Sequence, residues 1–498
     1  MGAVVLQRLE PAHHCARCTP VRLKIMIDIN KLADRHERLH KRHQSAFGSQ
    51  LPDAGVVIVA DPNFIRTFSG QVTWATLLNL IARLYKGIRH IRIVVDSDVP
   101  RLSHVFFPNA SEGLRAASLR FLEQLNEDAF TIGEGLPPND GPDWIWIHVG
   151  AWDPRHPPGT AVAGQGWLAF VNDESWRGLA SVSNPIGPMV AACLGTAEIY
   201  KALYPLSDKR EQTRIVLSAF DYSADLSSNP VLPASIHLPE TYIAGCGAVG
   251  MALLLLLNST PAISSGSGLH VVEDDALDDT NMNRCVLTIL EDVNSRKTKI
   301  IEERLDTARL ALKTHDLKWQ AFVHAPEYSD ALNFERVVSC VDKYSAREAV
   351  QYDRLPKVLL TAGTGDFLLS VSRHVLDDGL SCGLCYQAKD PEVGCAIATE
   401  GAQRAFEVPV DPSISFVSAC AGVLLGGELL KEIIPELNIG RIQNTVRMQV
   451  LTGAAKEKAR AKDPGCNCSS KYVAIGYKNT WRSSDVADEP SSPSRTIT

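Results

Sequence analysis

Two stretches of the chain, AACLGTAEIYKALYP (residues 191–205) and AGVLLGGELLKEIIP (421–435), align without a gap, and Ala191/Ala421, Leu194/Leu424, Glu198/Glu428, Lys201/Lys431 and Pro205/Pro435 are identical. Both read as apolar helices whose small residues permit close backbone approach and whose end is marked by proline. A fainter echo lies upstream of each. IRIVVDSD (91–98) resembles LHVVEDD (269–275), which sets Asp96 and Asp98 against Glu273 and Asp275, and VVIVADPNF (56–64) takes the place of TYIAGCGAVG (241–250). An internal repeat of this kind constrains the fold more than any single motif. It predicts a duplicated α/β domain whose first copy has lost every glycine of a phosphate loop.

The expected organisation is a poorly defined N-terminal segment at 1–29, a first half at 30–206, a linker at 207–234, a second half at 235–480 and a disordered polar tail at 481–498. A chain of 498 residues exceeds one ordinary domain, and 45% hydrophobic with 21% charged residues is a soluble globular composition. The net charge of −7 argues against a nucleic-acid-binding surface, and the locally basic HERLHKRH (36–43) reads as a solvated helix face. The wholly apolar run around Met251 to Leu257 is far shorter than the ~20 residues of a membrane span. Arg8, Glu10, His13 and His14 leave no room for a secretory h-region, so the expected location is the cytoplasm. The twelve cysteines should then be reduced, which makes their spacing informative. Cys382 and Cys385 in SCGLC form one close pair, Cys466 and Cys468 in DPGCNC a second, and Cys15 and Cys18 a third in the patternless start.

In YIAGCGAVG an apolar strand runs into Gly245-x-Gly247-x-x-Gly250 and then into the helical run MALLLLL. Glycines so spaced let backbone approach a phosphate and leave a helix N-terminus free to bind it, in NAD and FAD sites as well as others. Glu273 at the next strand end suits a ribose hydroxyl. TNMNRC (280–285) and DVNSRKTK (292–299) then bring Arg284, Lys297 and Lys299 toward the phosphates. Hydride transfer does not call for such cations, whereas cleavage of a phosphoanhydride does, because charge grows on the transferring group. Asp342, after the strand RVVSCV, lies where open α/β sheets bind ligands and suits magnesium, unless it only caps the helix beginning near Ser345.

GCGAVG, the acidic strand end, TNMNR, the lysine after DVN, CVD…AR, SCGLC and DPGCNC occur in the order of the ThiF/MoeB and ubiquitin-activating enzyme superfamily, which residues 235–470 resemble. The resemblance implies two Rossmann-like adenylation domains, N-terminal inactive and C-terminal active, forming an intramolecular pseudo-dimer with a structural zinc site. It implies an enzyme that uses ATP and magnesium to adenylate the C-terminal glycine of a ubiquitin-like protein. Gly245, Gly247 and Gly250 would cradle phosphates, Glu273 would hold the ribose with Asp275 nearby, Asn281, Arg284 and Lys297 would contact phosphates, and Asp342 would hold magnesium. Cys382, Cys385, Cys466 and Cys468 would bind zinc, although C-x-C stands where the family has C-x-x-C. Glu273 replaces the family's usual Asp, Cys285 a Gln and Asn294 a Gly, and Ser339 and Lys343 stand where Asp and Asn are common.

A thioester-forming enzyme also needs an accessible thiolate on a movable segment. The resemblance places it at Cys395 in DPEVGCAIATEGAQ, while Cys246, Cys340 and Cys420 read as buried filler. An arginine from the partner half would complete the site, and Arg35 or Arg38 in KLADRHERLHKRHQSAF (31–47) is the candidate. The expected function is therefore activation of a ubiquitin-like protein, with thioester transfer from Cys395 to a conjugating-enzyme-like protein, as in bacterial versions of the family. Alternatives are a sulfur-carrier adenylyltransferase, an NAD-dependent oxidoreductase and a non-catalytic scaffold. Association of two chains stays open.

Overall fold

The computed structural model describes residues 54–485, apart from 85–86, 109–110, 127–128, 139–142, 205–213, 265, 267, 327–333, 366 and 388–413. In the first half, β1 (Ala54–Ala60), β2 (His90–Val94), β3 (Thr131–Glu134), β4 (Asp143–Val149), β5 (Thr160–Gln165), β6 (Leu168–Val171) and β7 (Ile215–Ser218) form one sheet in the order β3-β2-β1-β4-β5-β6-β7. Its strands are parallel from β3 to β5, with β6 and β7 added antiparallel. Helices α1 (Phe68–Ala82), α2 (Leu114–Leu125) and α3 (Ile186–Leu203) belong to the same half.

The second half contains β8 (Thr241–Ala244), β9 (Leu269–Val272), β10 (Leu312–His315), β11 (Arg336–Ser339), β12 (Val358–Gly365), β13 (Leu368–His374), β14 (Thr445–Gln449) and β15 (Ala454–Lys458). They run β10-β9-β8-β11-β12-β13-β14-β15, parallel as far as β12 and antiparallel beyond. Position for position this is the order of the first sheet with one strand added. Helices α4 (Ala248–Asn258), α5 (Lys297–Arg304), α6 (Trp319–His324), α7 (Tyr344–Tyr352), α8 (Ser415–Ile433) and α9 (Lys471–Asp485) complete it. The span 207–234, expected as linker, contains β7, a strand too short for alternation to reveal it.

The repeated helices are α3 and α8, and they pack on each other, while α8 also lies along α4. A Cβ at Gly422 would stand 2.3 Å from the Val249 carbonyl oxygen, so glycine there permits the close α8–α4 approach. One continuous apolar core includes Ile58, Trp74 and Leu194 from the first half and Leu253, Cys420 and Leu425 from the second. The identical Glu/Lys pairs of the repeat lie in this contact. Lys201 Nζ donates to Glu198 (2.6 Å) and to the Leu451 carbonyl of the second half (3.0 Å). Lys431 Nζ donates to Glu428 and Gly440, and to the Phe220 carbonyl of the first half (2.6 Å). Each half thus sends a lysine to the other's backbone.

Lys431 and Glu428 are fully buried, and Glu428 also accepts from the Tyr222 hydroxyl (2.7 Å) and the Ile442 amide (3.2 Å). Burial pulls the Lys431 ammonium below the ordinary lysine range, against the attraction of Glu428. Removing one member of such a pair strands the other, so Lys431→Met is expected to lower stability by about 3–5 kcal/mol in urea unfolding. Lys201→Met, whose ammonium is partly exposed, should cost clearly less. Equal losses would show that the Lys431 network has no special weight.

Candidate nucleotide site and cysteine cluster

The loop between β8 and α4 bends because Gly245 adopts φ +87°, a conformation that side chains other than glycine rarely take. Gly250 is required by space, since a Cβ there would meet the Gly245 carbonyl oxygen at 2.6 Å. At Gly247 a Cβ would meet nothing within 4 Å, so that side of the loop is open. Among the described residues no side chain caps α4, which begins directly after Gly247. The first amides of a helix lack intrahelical partners, and an uncapped start of this kind favours an anion.

At the equivalent place in the first half the amides are taken. Asp61 accepts from the amides of Asn63 (2.8 Å), Phe64 (3.1 Å) and Ala151 (3.1 Å), and Thr67 caps α1 by accepting from Gly70 (3.0 Å). A carboxylate therefore occupies the ground that a phosphate would need, and its charge repels one.

Glu273 follows β9 and is buried beneath the glycine loop. Its Oε2 accepts from the Cys246 amide at 2.6 Å and its Oε1 from the Asp275 amide at 3.0 Å. The methylene that distinguishes Glu from Asp lets the carboxylate turn back to the loop, so in this state it braces the loop. Lys297, the first residue of α5, is buried with its Nζ 3.1 Å from Asp275 and 3.8 Å from Glu273. Burial lowers the Lys297 pKa, but the two carboxylates outweigh it and hold the ammonium above its usual value.

Arg284 donates to the Thr280 carbonyl (2.7 Å) and to Asn283 (2.9 Å). Burial pulls its pKa below the usual arginine value, an effect opposed only in part by Cys285, Asp278 and, least, Asp342. Asp342 is exposed after β11 and does not cap α7, whose N-terminal flank is Lys343 without a side-chain cap. Arg347, within the CVD…AR motif, donates from Nε to the Val341 carbonyl at 3.0 Å and also feels Asp342. The Asn281 carbonyl accepts from the amides of Arg284 (3.1 Å) and Cys285 (3.0 Å), which closes a tight turn. The fold thus gathers Gly245, Gly247, Gly250, Glu273, Asp275 and Lys297, and brings Arg284 within electrostatic reach of Asp342. Cys395, Arg35 and Arg38 lie outside the described residues.

Asn294, expected to be unusual where glycine is common, has φ +69°. This left-handed conformation explains the glycine preference, and asparagine is among the side chains that tolerate it best. Burial raises the thiol of Cys246, with Glu273 adding to the effect, and raises that of Cys340 to about 12, as suits core residues rather than nucleophiles.

The four paired cysteines meet in a small apolar cluster with Tyr352 of α7 and Val473 and Tyr477 of α9. Cys382 Sγ lies 3.6 Å from Cys466 and 3.7 Å from Cys385, and Cys385 lies 3.4 Å from Cys468. Thiolates about 2.3 Å from a tetrahedral zinc ion would be spaced roughly 3.8 Å apart, so the set fits one ion. The C-x-C spacing suffices because Cys466 directly precedes a 3₁₀ turn, Asn467–Ser469. The amides of Leu384 and Asp463 donate to Cys382 and Cys385, both at 3.4 Å, and would stabilise thiolates.

The sequence reading missed Asn79 and Arg83, buried at the end of α1 and bonded to residues 282–288 of the second half. The available signal was an Asn and an Arg four residues apart in the otherwise apolar LLNLIARL.

Residues 236–470 match the ThiF family, and residues 55–212 match the BilD N-terminal domain. The ThiF match covers most of the second half and the BilD match most of the first. It is 27% identical over 349 residues to the uncharacterized protein y4jF of Sinorhizobium fredii (strain NBRC 101917 / NGR234), a match covering 69% of this chain and 62% of that protein. The chain therefore spans less than two thirds of this curated relative. Structures of E. coli MccB with succinimide and with ATP align at 16% identity, with TM-scores of 0.36 and 0.34. These alignments cover 47% and 46% of this chain, and 66% of MccB in both cases.

The loop bracing by Glu273 predicts that Glu273→Ala leaves the Cys246 amide buried without its partner. The expected loss is about 1–3 kcal/mol in urea unfolding, together with faster hydrogen exchange at Cys246. Unchanged exchange there would remove the bracing role.

Proposed function

We propose that this chain is an ATP-dependent enzyme that adenylates the C-terminal glycine of a ubiquitin-like protein, and that the second half carries the reaction. The observation that supports this best is the open glycine loop before an uncapped helix, with buried Lys297 beside it, held by Asp275 and Glu273. A glycine carboxylate oxygen would attack the α-phosphorus of ATP, the bond to the bridging oxygen would break, and pyrophosphate would leave. The loop amides would hold phosphate oxygens, Lys297 and Arg284 would meet the charge that grows on them, and Glu273 would turn from the loop to the ribose with Asp275 beside it. Asn281 would orient the phosphate chain. Asp342 would hold magnesium, which when bound neutralises phosphate charge. An oxidoreductase site has no comparable use for these cations.

In this reading the first half is an inactive copy and the two halves form a pseudo-dimer. Support comes from the matching strand order, the amides occupied by Asp61, and the reciprocal lysine contacts. The four cysteines would hold a structural zinc ion, all four ligands coming from protein and none left for substrate. Arg35 or Arg38 would complete the centre from the first half. Cys395 would displace AMP from the acyl-adenylate to form a thioester, which a conjugating-enzyme-like protein would then accept.

The test is ATP–pyrophosphate exchange with ubiquitin-like proteins encoded near the gene, followed by non-reducing gels. Exchange is expected, with a thioester band absent from Cys395→Ala; exchange without a band would leave an adenylating enzyme of the sulfur-carrier type. Lys297→Met should slow exchange about 100- to 1,000-fold. No exchange with any candidate, together with tight NADH binding, would overturn the reading. One zinc per chain is expected by elemental analysis, and Cys385→Ser should lose it.

A further inference from the structure

Arg83 stands just past the end of α1, fully buried, and its guanidinium bonds reach Met282 and Thr288 of the other half of the molecule. Nε donates to Asn79 (2.8 Å), Nη1 to the Met282 carbonyl (2.6 Å) and the Thr288 hydroxyl (3.4 Å), and Nη2 to the Thr288 carbonyl (2.7 Å). One turn earlier, Asn79 donates to the Val286 carbonyl at 2.8 Å. A buried charge is costly unless its donors are satisfied, and here carbonyls of the second half satisfy them. The dependence is mutual, because the carbonyls of Met282, Val286 and Thr288 are buried against the first half and take their partners from it.

The segment so held is the one that carries Arg284. Met282, Cys285, Val286, Leu287 and Ile289 are all buried around it, while the turn at Asn281 is closed by the amides of Arg284 and Cys285. We propose that Asn79 and Arg83 are positioning residues through which the first half sets the conformation of residues 281–288, and so the placement of Arg284 against bound nucleotide. This rests on the adenylation reading for its consequence, but not for its geometry. The half without a glycine loop would then be part of the nucleotide site rather than a spent copy. Lysine cannot replace Arg83, since a single ammonium cannot span the Met282 and Thr288 carbonyls as the planar fork does.

The test uses the full chain as wild type, Arg83→Lys and the milder Asn79→Ala. Hydrogen exchange without nucleotide should quicken at the Arg284, Cys285 and Thr288 amides in both variants, while the zinc content stays at the wild-type value. ATP affinity, measured by equilibrium binding without the protein partner, should fall about 10- to 100-fold, the scale expected for a displaced contact group. In the exchange reaction the KM for ATP should rise and that for the ubiquitin-like partner should not. Unchanged hydrogen exchange at 281–288 in Asn79→Ala and Arg83→Lys would overturn the positioning claim. Quicker exchange with wild-type ATP affinity would reduce both residues to interface packing. Failure of the wild type to bind ATP would instead strike the adenylation reading, with the hydrogen-exchange result still deciding whether the first half sets this segment.

Discussion

The contact between α3 and α8 is the interaction on which the rest of the molecule depends. Both helices are apolar on nearly every side, so neither can serve as a surface helix, and each packs on the sheet of its own half and on the other helix, which joins the two cores into one. Within that apolar contact sit Glu428 and Lys431, two charges without water. They are tolerable only because Tyr222, Phe220, Gly440 and Ile442 supply hydrogen bonds from both halves. Such a network demands one relative placement of the two sheets. Sliding either half would leave a buried charge without its partners.

That fixed placement gives the contrast between the two strand-to-helix loops its meaning. In the second half Gly245 and Gly250 turn the chain tightly and Gly247 leaves the helix start open. In the first half Asp61 and Thr67 take up the amides with their own oxygens. The same topology therefore presents an anion-receptive edge once and an anion-repelling edge once. The difference lies in which oxygen satisfies the backbone, the protein's or a ligand's. Asn79 and Arg83 suggest why both copies would persist, since the closed copy furnishes the partners for a segment of the open one.

Much of this was legible along the chain. The repeat of AACLGTAEIYKALYP in AGVLLGGELLKEIIP foretold two halves of one architecture, because the matching small and apolar positions, Ala191/Ala421 and Leu194/Leu424, report the same buried helix face. The glycine pattern foretold the tight turn, and the paired cysteines foretold one cluster, because φ above zero and thiol chelation each admit few residue types. The bracing of the loop by Glu273 was not legible, nor was the strand Ile215–Ser218 inside the expected linker. Each depends on which groups happen to be adjacent in space after the sheets close.

The amino-acid sequence by itself determined the duplicated α/β architecture, the turn at Gly245 and the identity of the cysteine cluster, since each is a local property of residue type and spacing. Tertiary structure alone decided that Lys201 and Lys431 would cross to opposite halves, and that Arg83 would end on Met282 and Thr288 some 200 residues away. A polar residue in an apolar run signals a buried donor, but which carbonyl it reaches leaves no trace in sequence, because every residue offers the same carbonyl, and only the fold selects which ones are buried within reach.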